Sequence, residues 1–549
     1  MTLDQLFKTT IRDSLESATL GRCSRWTEKV RIMGAPFPGP WTFTHHPWLR
    51  ALHDDDSPRI VIMKGAQLGF TEYSINRTLY TLDQLKRHVL YALPTERPGA
   101  MAFSKGRLNV ASNLSPYLDS LFALARSEGH KLTRNGVSLY IRGSNSRSAF
   151  KETPASLVVL DELDEMSDEA IGLAEHRLDG QPDQYQLIML STPSVDGVGI
   201  QNQYKDTTQS NFFFKCPYCS KRIHLTYPES FEVVGESLAD PKIIQSFIKC
   251  PKCATPLPHK EKSNFLAEGE WVPAFPDRPI QGYQINQLYS AGVPPEQFAL
   301  YKIKGDFSLA SQTEFYNSCL GQTFVAKGAQ ITDGMINAAV ERGDYMNGDK
   351  TQVKRKLVTM GADIGQKTHH INIIGWDFDL QTKTREITAA ADGQLLYHAT
   401  VNSFEEIEEL MQIWRPKMTV IDAQPETKRA IALCKQYMGI AYACYYTGAG
   451  RKPATVNKPE CTISANRTYW IDALFDKFRT YTMCLPNDLD MTYRAHLKST
   501  VKKYEIDDKG NTTSKFITRE NEPDHFLHAG VYATIALGLL AGIGGNIDS

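Results

Sequence analysis

The stretch Leu157-Val158-Val159-Leu160-Asp161-Glu162 narrows the fold more than any other part of the chain. Four apolar residues in succession, without alternation, read as a strand buried on both faces, the pattern of a parallel sheet covered by helices. A strand of this kind delivers its two carboxylates at its carboxyl end, where open α/β sheets keep their ligand sites. Similar runs at 59–63, 88–93 and 186–190 surround it, with helical composition over 71–85. Strands and helices alternating in this order predict a doubly wound parallel sheet.

The first strand leads into Lys64-Gly65-Ala66-Gln67-Leu68-Gly69-Phe70-Thr71. A phosphate-binding loop needs small residues that let backbone N–H groups face phosphate oxygens, a lysine for charge, and a hydroxyl for Mg²⁺ at a helix start. Gly69 and Thr71 fall in the usual places. Lys64 stands where the first glycine is expected, and Phe70 where the lysine is expected. A plain strand-to-helix turn is the competing reading for this stretch alone. Asp161 is placed to hold Mg²⁺ and Glu162 to polarise the attacking water. Leu190-Ser191-Thr192-Pro193 ends a further strand in small hydroxyl residues, the position of a γ-phosphate sensor that couples hydrolysis to motion. Three polar strand ends in this order predict a P-loop ATPase of the ASCE type.

Two C-x-x-C knuckles follow, Cys216/Cys219 and Cys250/Cys253. Four thiolates at this spacing can converge tetrahedrally on Zn²⁺, as in zinc ribbons, and a closed Cys₄ shell is structural rather than catalytic. His224 is an alternative ligand. With ten cysteines in all, this usage reads as a reducing compartment and one metal site.

Further on, 357–363, 371–376 and 385–390 look like three successive strands, followed by a helix at 403–414 and a strand at 418–422. That order is the core of a ribonuclease H-like domain. Asp363 ends the first of these strands, beside Gly361 and Gly365, which would give a substrate backbone room. Asp422 ends the neighbouring strand, and Asp524 opens a helix. Three carboxylates at one sheet edge could hold two divalent metals ~4 Å apart for phosphodiester cleavage. His528, one helical turn beyond Asp524, is the other candidate ligand. DNA contact could come from the tract between Arg494 and Arg519, with seven Lys/Arg against three acids and a hairpin loop around 507–511, or from the loop 447–453 with Arg451 and Lys452.

At ~150 residues per domain, 549 residues suggest three or four units. The expected layout is an N-terminal segment 1–50, an ATPase core 51–210, a Cys₄ insert 211–290, a linker subdomain 291–350 and a nuclease domain 351–549. Hydrophobic residues at 42% and charged residues at 22% exclude a mainly disordered or collagen-like chain. A formal charge of −1 excludes a tail-driven, strongly basic nucleic-acid binder and leaves local patches. The first twenty residues lack the apolar core of a signal peptide. The apolar stretch 529–545, rich in glycine, reads as a final core helix rather than a membrane anchor.

The lysine-first loop resembles that of the lambda-type (GpA-like) large terminase subunits of tailed bacteriophages. So does the segment Gly143-Ser144-Asn145-Ser146-Arg147-Ser148, which leads into the Asp161-Glu162-Leu163-Asp164 strand end. The paired cysteines, Gly282-Tyr283-Gln284-Ile285-Asn286-Gln287-Leu288-Tyr289-Ser290 and Tyr316-Asn317-Ser318-Cys319-Leu320-Gly321-Gln322 carry the resemblance from about residue 30 to about 540. It implies an ATP-driven motor that pushes double-stranded viral DNA into a prohead, and a Mg²⁺- or Mn²⁺-dependent endonuclease that cuts concatemers. The implied partners are a small terminase subunit and the portal, on which such motors work as rings, in the host cytoplasm and without a membrane. Arg142 and Arg147 are the candidate arginine fingers. Trp41, Phe43 or Trp48 could stack on adenine or belong to the core. The family often ends in Asp-His-x-x-Asp and favours the second Asp. Here that position is His528, which leaves the third nuclease ligand open between Asp524 and His528. A helicase–nuclease of replication or repair, or a catalytically silent packaging adaptor, are the alternative readings.

Overall fold

A computed structural model describes residues 21–35, 37–122, 125–145, 153–167, 169–180, 185–353, 357–378, 387–448, 452–506 and 511–543. The chain folds as two compact units, divided between Phe324 and Val325.

The first unit is built on seven parallel strands. They are β1 (Arg59–Lys64), β2 (Val89–Leu93), β3 (Ser138–Gly143), β4 (Leu157–Asp161), β5 (Gln186–Ser191), β6 (Ser210–Lys215) and β7 (Gln281–Ile285). Their order across the sheet is β6-β7-β1-β5-β4-β2-β3. Every residue of β2, β4 and β5 is buried, as the unbroken apolar runs require. The strand β5 stands between β1 and β4, so the three polar strand ends read from the sequence lie side by side. Helix α1 (Phe70–Tyr80) starts from Gly69 at φ +82°, and the next turn, Thr81–Leu85, is wound wider.

Two features of this unit differ from the sequence layout. Residues 211–290 contribute to the main sheet, because β6 and β7 complete it and all of β7 lies in register along Ile60–Lys64 of β1. Only the stretch between them turns aside, with its own three short strands Phe231–Glu232, Phe247–Lys249 and Pro256–Leu257. The aromatic residues Trp26, Trp41, Phe43 and Trp48 share one apolar core with Ile60 and Ile62 of β1. Trp48 also donates its indole N–H to the Leu68 carbonyl at 3.1 Å, tying that core to the loop after β1. The candidate linker 291–350 is split by the unit boundary.

The second unit carries β8 (Leu357–Ile364), β9 (His369–Asp377), β10 (Asp392–Val401), β11 (Met418–Asp422), β12 (Ala441–Thr447) and β13 (Thr462–Asn466). They are ordered β13-β12-β11-β8-β9-β10, with short strands at each edge. Strand β9 runs antiparallel to both neighbours, while β11 and β12 are parallel to β8. The third strand lies later than the sequence suggests. Residues Ile387–Ala390 form a short helix, and the ten-residue β10 takes the place beside β9. Two alanines favour helix there, and a ladder spanning the whole of β9 outweighs the apolar look of the earlier segment.

Helix α2 (Phe404–Trp414) is capped by Ser403, whose hydroxyl accepts from the Glu406 N–H. Helix α3 (His525–Leu540) is buried from Phe526 to Leu539 and crosses β8. A Cβ on Gly361 would stand 2.0 Å from the Ala529 carbonyl oxygen and 2.4 Å from the Ala533 nitrogen. The space at Gly361 is therefore filled by the chain's own helix and is not room for substrate. Among the described residues no helix is long and apolar enough to cross a membrane.

Candidate functional site

Lys64 ends β1, Asp161 ends β4 and Ser191 ends β5, so parallel pairing alone brings them to one edge. Burial pulls the Lys64 ammonium below its usual range, with the charges of Asp161 and Glu162 opposing the shift. Burial pushes the Asp161 carboxyl up against the hydrogen bond from Tyr91 and the charge of Lys64. Glu162 is raised by burial and by the neighbouring Asp161. In this partly dry site the Lys64 charge opposes the shifts of both carboxyls, and their charges oppose the shift of Lys64. Glu162 sits at φ +65° and Gln67 at φ +57°, left-handed backbone that only a constrained site sustains in residues other than glycine.

Contacts invisible in the sequence complete this site. Tyr91, buried on β2, donates its hydroxyl to Asp161 Oδ2 at 2.6 Å. The loop after β1 is braced by the two downstream segments noted in the sequence. Gly65 N–H donates to the Ile285 carbonyl at 2.9 Å, and Ala66 N–H to the Ser318 carbonyl at 2.7 Å. Gln287 Nε2 donates to the Ala66 carbonyl at 3.1 Å. The loop after β5 is held through Asp164, whose carboxylate accepts from the N–H groups of Ser194 and Ile200, each at 2.7 Å. Asn317 Nδ2 donates to the Ser194 carbonyl at 3.0 Å.

A cleft of about 710 Å³ opens beside Gln67, Gly69 and Glu72 and is walled by Trp41, Arg31 and Arg107. That volume suits a small-molecule ligand. Trp41 lines it, its indole N–H buried without a partner, whereas Trp48 is fully engaged in the core. Arg142 donates to the carbonyls of Gly129 and Ile141, so its guanidinium serves the edge of the sheet. Arg147 lies outside the described residues.

The four cysteines converge, with Sγ atoms 4.0 Å apart for Cys216 and Cys253 and 3.9 Å for Cys219 and Cys250. The two knuckles repeat one geometry. Cys216 N–H donates to the Lys221 carbonyl and Cys250 N–H to the Thr255 carbonyl, while Ser220 and Ala254 both take positive φ. This arrangement fits a tetrahedral metal. His224 instead rests against the Phe213 ring, 4.5 Å between centroids.

In the second unit Asp363 and Asp422 end the adjacent parallel strands β8 and β11. Burial, together with the nearby Asp363 charge, pushes the Asp422 carboxyl up to about 6. Asp524 is turned elsewhere. Its Oδ2 accepts from the Thr518 hydroxyl at 2.6 Å and lies 3.1 Å from His528 Nε2, and Tyr446 Oη lies 3.0 Å from His528 Nδ1. Although burial opposes it, this contact with His528 holds the Asp524 carboxyl well below the usual range. The side chains gathered round Asp363 are histidines. His525 Nδ1 is 2.9 Å from Asp363 Oδ2, and His370 and His525 lie ring on ring with centroids 4.6 Å apart. The signal for His370 was its place across the β8–β9 hairpin, directly opposite Asp363.

The basic tract forms the hairpin Thr500–Ile506 and Thr512–Thr518, with 507–510 outside the described residues. Lys502 pairs with Asp472, and Lys503 and Lys515 with Glu505, at 2.7 to 3.0 Å. Much of its charge is thus neutralised internally. In the loop 447–453, Arg451 lies outside the described residues.

The sheet order of the first unit and its polar edge define a P-loop-type α/β nucleotide site with an additional strand between the loop strand and the acidic strand. Residues 35–271 match the family described as phage terminase large subunit gpA, ATPase domain. Among solved structures, the HK97 bacteriophage large terminase is similar at 12% identity and TM-score 0.50, covering 95% of this chain and 99% of that one. That likeness shows a shared fold. A large terminase from a thermophilic bacteriophage matches at 12% identity and TM-score 0.30, covering 88% of this chain and 94% of its own. No curated protein matches the chain.

Two outcomes follow from the buried charges. Tyr91→Phe leaves the Asp161 carboxylate short of one donor, and a hydrogen bond to a charged group contributes about 1.5–3 kcal/mol. ATP turnover should fall about tenfold or more with the melting temperature nearly kept, and turnover equal to the parent's would remove Tyr91 from the site. For Asp422, a folded-state pKa above the unfolded value means that its ionised form opposes folding at neutral pH and that protonation relieves this as pH falls through about 6. Metal-free Asp422→Asn should therefore melt above the parent at pH 7.5, and the gap should narrow at pH 5. A gap independent of pH would refute the assignment.

Proposed function

We propose that this chain is the motor and the cutting subunit of a phage DNA-packaging machine, hydrolysing ATP in its first unit and cleaving DNA in its second. The observation that carries the motor reading is the meeting of Lys64, Asp161, Glu162 and Ser191 at one edge of a sheet whose family is that of terminase ATPase domains. The loop from Lys64 to Thr71 would cradle the ATP phosphates, with Thr71 and Asp161 on Mg²⁺ and Glu162 orienting water. The adenosine would enter the cleft beside Trp41. Ser191 and Thr192, tied through Asp164 to the turn after Glu162, would couple the phosphate state to motion.

The nuclease reading rests on Asp363 and Asp422 at neighbouring strand ends, in a sheet whose first five strands run in the order 3-2-1-4-5, with the second antiparallel, as in ribonuclease H-like domains. A divalent ion held there supplies the charge that activates water and stabilises the leaving oxygen. Double-stranded viral DNA cut from a concatemer is the substrate. A small terminase subunit and the portal of a prohead are the partners, with the chain working as a ring in the infected cell's cytoplasm. The four cysteines would hold one structural Zn²⁺ that fastens the segment between β6 and β7.

Two measurements test this reading. The parent should turn over ATP and nick plasmid in Mg²⁺ or Mn²⁺. Glu162→Gln should abolish turnover and spare cleavage, and Asp363→Ala should do the reverse. Plasmid cleavage that survives Asp363→Ala would overturn the nuclease centre, and turnover that survives Glu162→Gln would overturn the motor site. Separately, metal analysis of the purified chain should find one zinc per chain. Cys250→Ser should lose it and melt several degrees lower, and zinc-free parent protein of full thermal stability would end the structural-zinc assignment.

A further inference from the structure

The nuclease reading expects three carboxylates, and the third does not join the other two. Asp524 is occupied by Thr518 and His528. Among the described residues, the group at this edge whose ligand atoms converge within 4.8 Å is Asp363, His370 and His525. We propose that the second unit binds a divalent transition-metal ion through Asp363, His370 and His525, two imidazoles taking the place of a carboxylate. This deepens the nuclease reading and rests on it for the ion's purpose, while its evidence is separate.

Three observations support it. Asp363 and His370 are paired residues of the β8–β9 hairpin, so their side chains leave the same face of the sheet at neighbouring positions. His370 is 8% exposed, and its Nδ1 is buried without any hydrogen-bond partner. Buried ring nitrogens are ordinarily satisfied, and an absent ion is one explanation for an orphan of this kind. Third, His525 Nδ1 already approaches Asp363 Oδ2 at 2.9 Å, a separation suited to two donors on one ion. The His525 side chain is 43% exposed and forms the open side of the group, through which water or a phosphate oxygen would reach the remaining positions.

The donor set decides which ion. Carboxylate and water oxygens suit Mg²⁺, whereas imidazole nitrogen favours first-row transition ions. One carboxylate and two imidazoles with open positions therefore prefer Mn²⁺ or Co²⁺ to Mg²⁺. Asp422 stands beside Asp363 as the oxygen donor available to a second ion or to a bridging water.

The test is a Mn²⁺ titration of the full chain, zinc-loaded and free of nucleotide, followed by the loss of the free-ion electron paramagnetic resonance signal. The parent, His370→Ala, His525→Ala and Asp524→Asn are compared, with circular dichroism to confirm the fold. His525, half exposed, carries the test even if the buried His370 variant fails to fold. Mn²⁺ affinity should fall at least about tenfold, the scale on which even outer-shell partners act, in both histidine variants. It should change less than about threefold in Asp524→Asn, and excess Mg²⁺ should displace Mn²⁺ poorly from the parent. Parent-like affinity in His525→Ala, or loss of the site in Asp524→Asn, would overturn the proposal. Plasmid cleavage separates the two ideas. Binding with the expected pattern but no cleavage by the parent sinks the nuclease reading and keeps the site. Cleavage that needs Asp363 and Asp422, with Mn²⁺ binding unaffected by either histidine, sinks the site and keeps the nuclease.

Discussion

Charge held at the carboxyl ends of parallel strands, under partial exclusion of water, organises both halves of this molecule. Parallel pairing aligns like ends, so polar residues that are distant in sequence are compelled to share one edge. In the first unit the Lys64 ammonium stands among the carboxylates of Asp161 and Glu162 and offsets part of the cost of their burial. In the second unit burial, helped by the neighbouring Asp363 charge, leaves Asp422 with a raised affinity for a proton. A lysine among the acids gives the first edge a positive charge to offer an anionic ligand. An edge with surplus negative charge calls for a cation.

The surroundings of each edge follow from that difference. Around the first, almost every added contact fixes backbone: Ser318 and Ile285 accept from the loop after β1, and Asp164 gathers the N–H groups of the loop after β5. Around the second, the added contacts are between side chains. Thr518, His528 and Tyr446 form a relay that draws Asp524 away, and His370 and His525 close on Asp363. One edge is fixed through main-chain hydrogen bonds, the other through side chains.

Much of this was legible in the residues. The apolar runs at β1, β2, β4 and β5 are too long and too unbroken to be anything other than buried strands, and their polar ends follow. Spacing gave away the four cysteines, since little else places two C-x-x-C pairs beside each other. Asp363 and Asp422 could be matched because each closes an apolar strand. What escaped depends on pairing between distant segments. Nothing local in Gln281–Ile285 announces that it will lie along Arg59–Lys64. Gly361 looked like room for substrate, and only the crossing of helix α3 reveals what occupies the space. Tyr91 looked like one more strand residue, since its partner Asp161 is seventy positions away. Asp524 and His528 were read as ligands from their place on one helical turn, which shows that they are neighbours and not which way they turn.

The segment Phe315–Leu320 has one further consequence. It meets the loop after β1 through Ser318 and the loop after β5 through Asn317, and just beyond it Gly321 is pressed so closely on Gly65 that a Cβ would stand 2.6 Å from the Gly65 nitrogen. The chain passes into the second unit directly afterwards, at Val325. One short segment therefore touches both loops at once. The covalent exit from the first unit is thus fastened to both loops at the polar edge of the sheet.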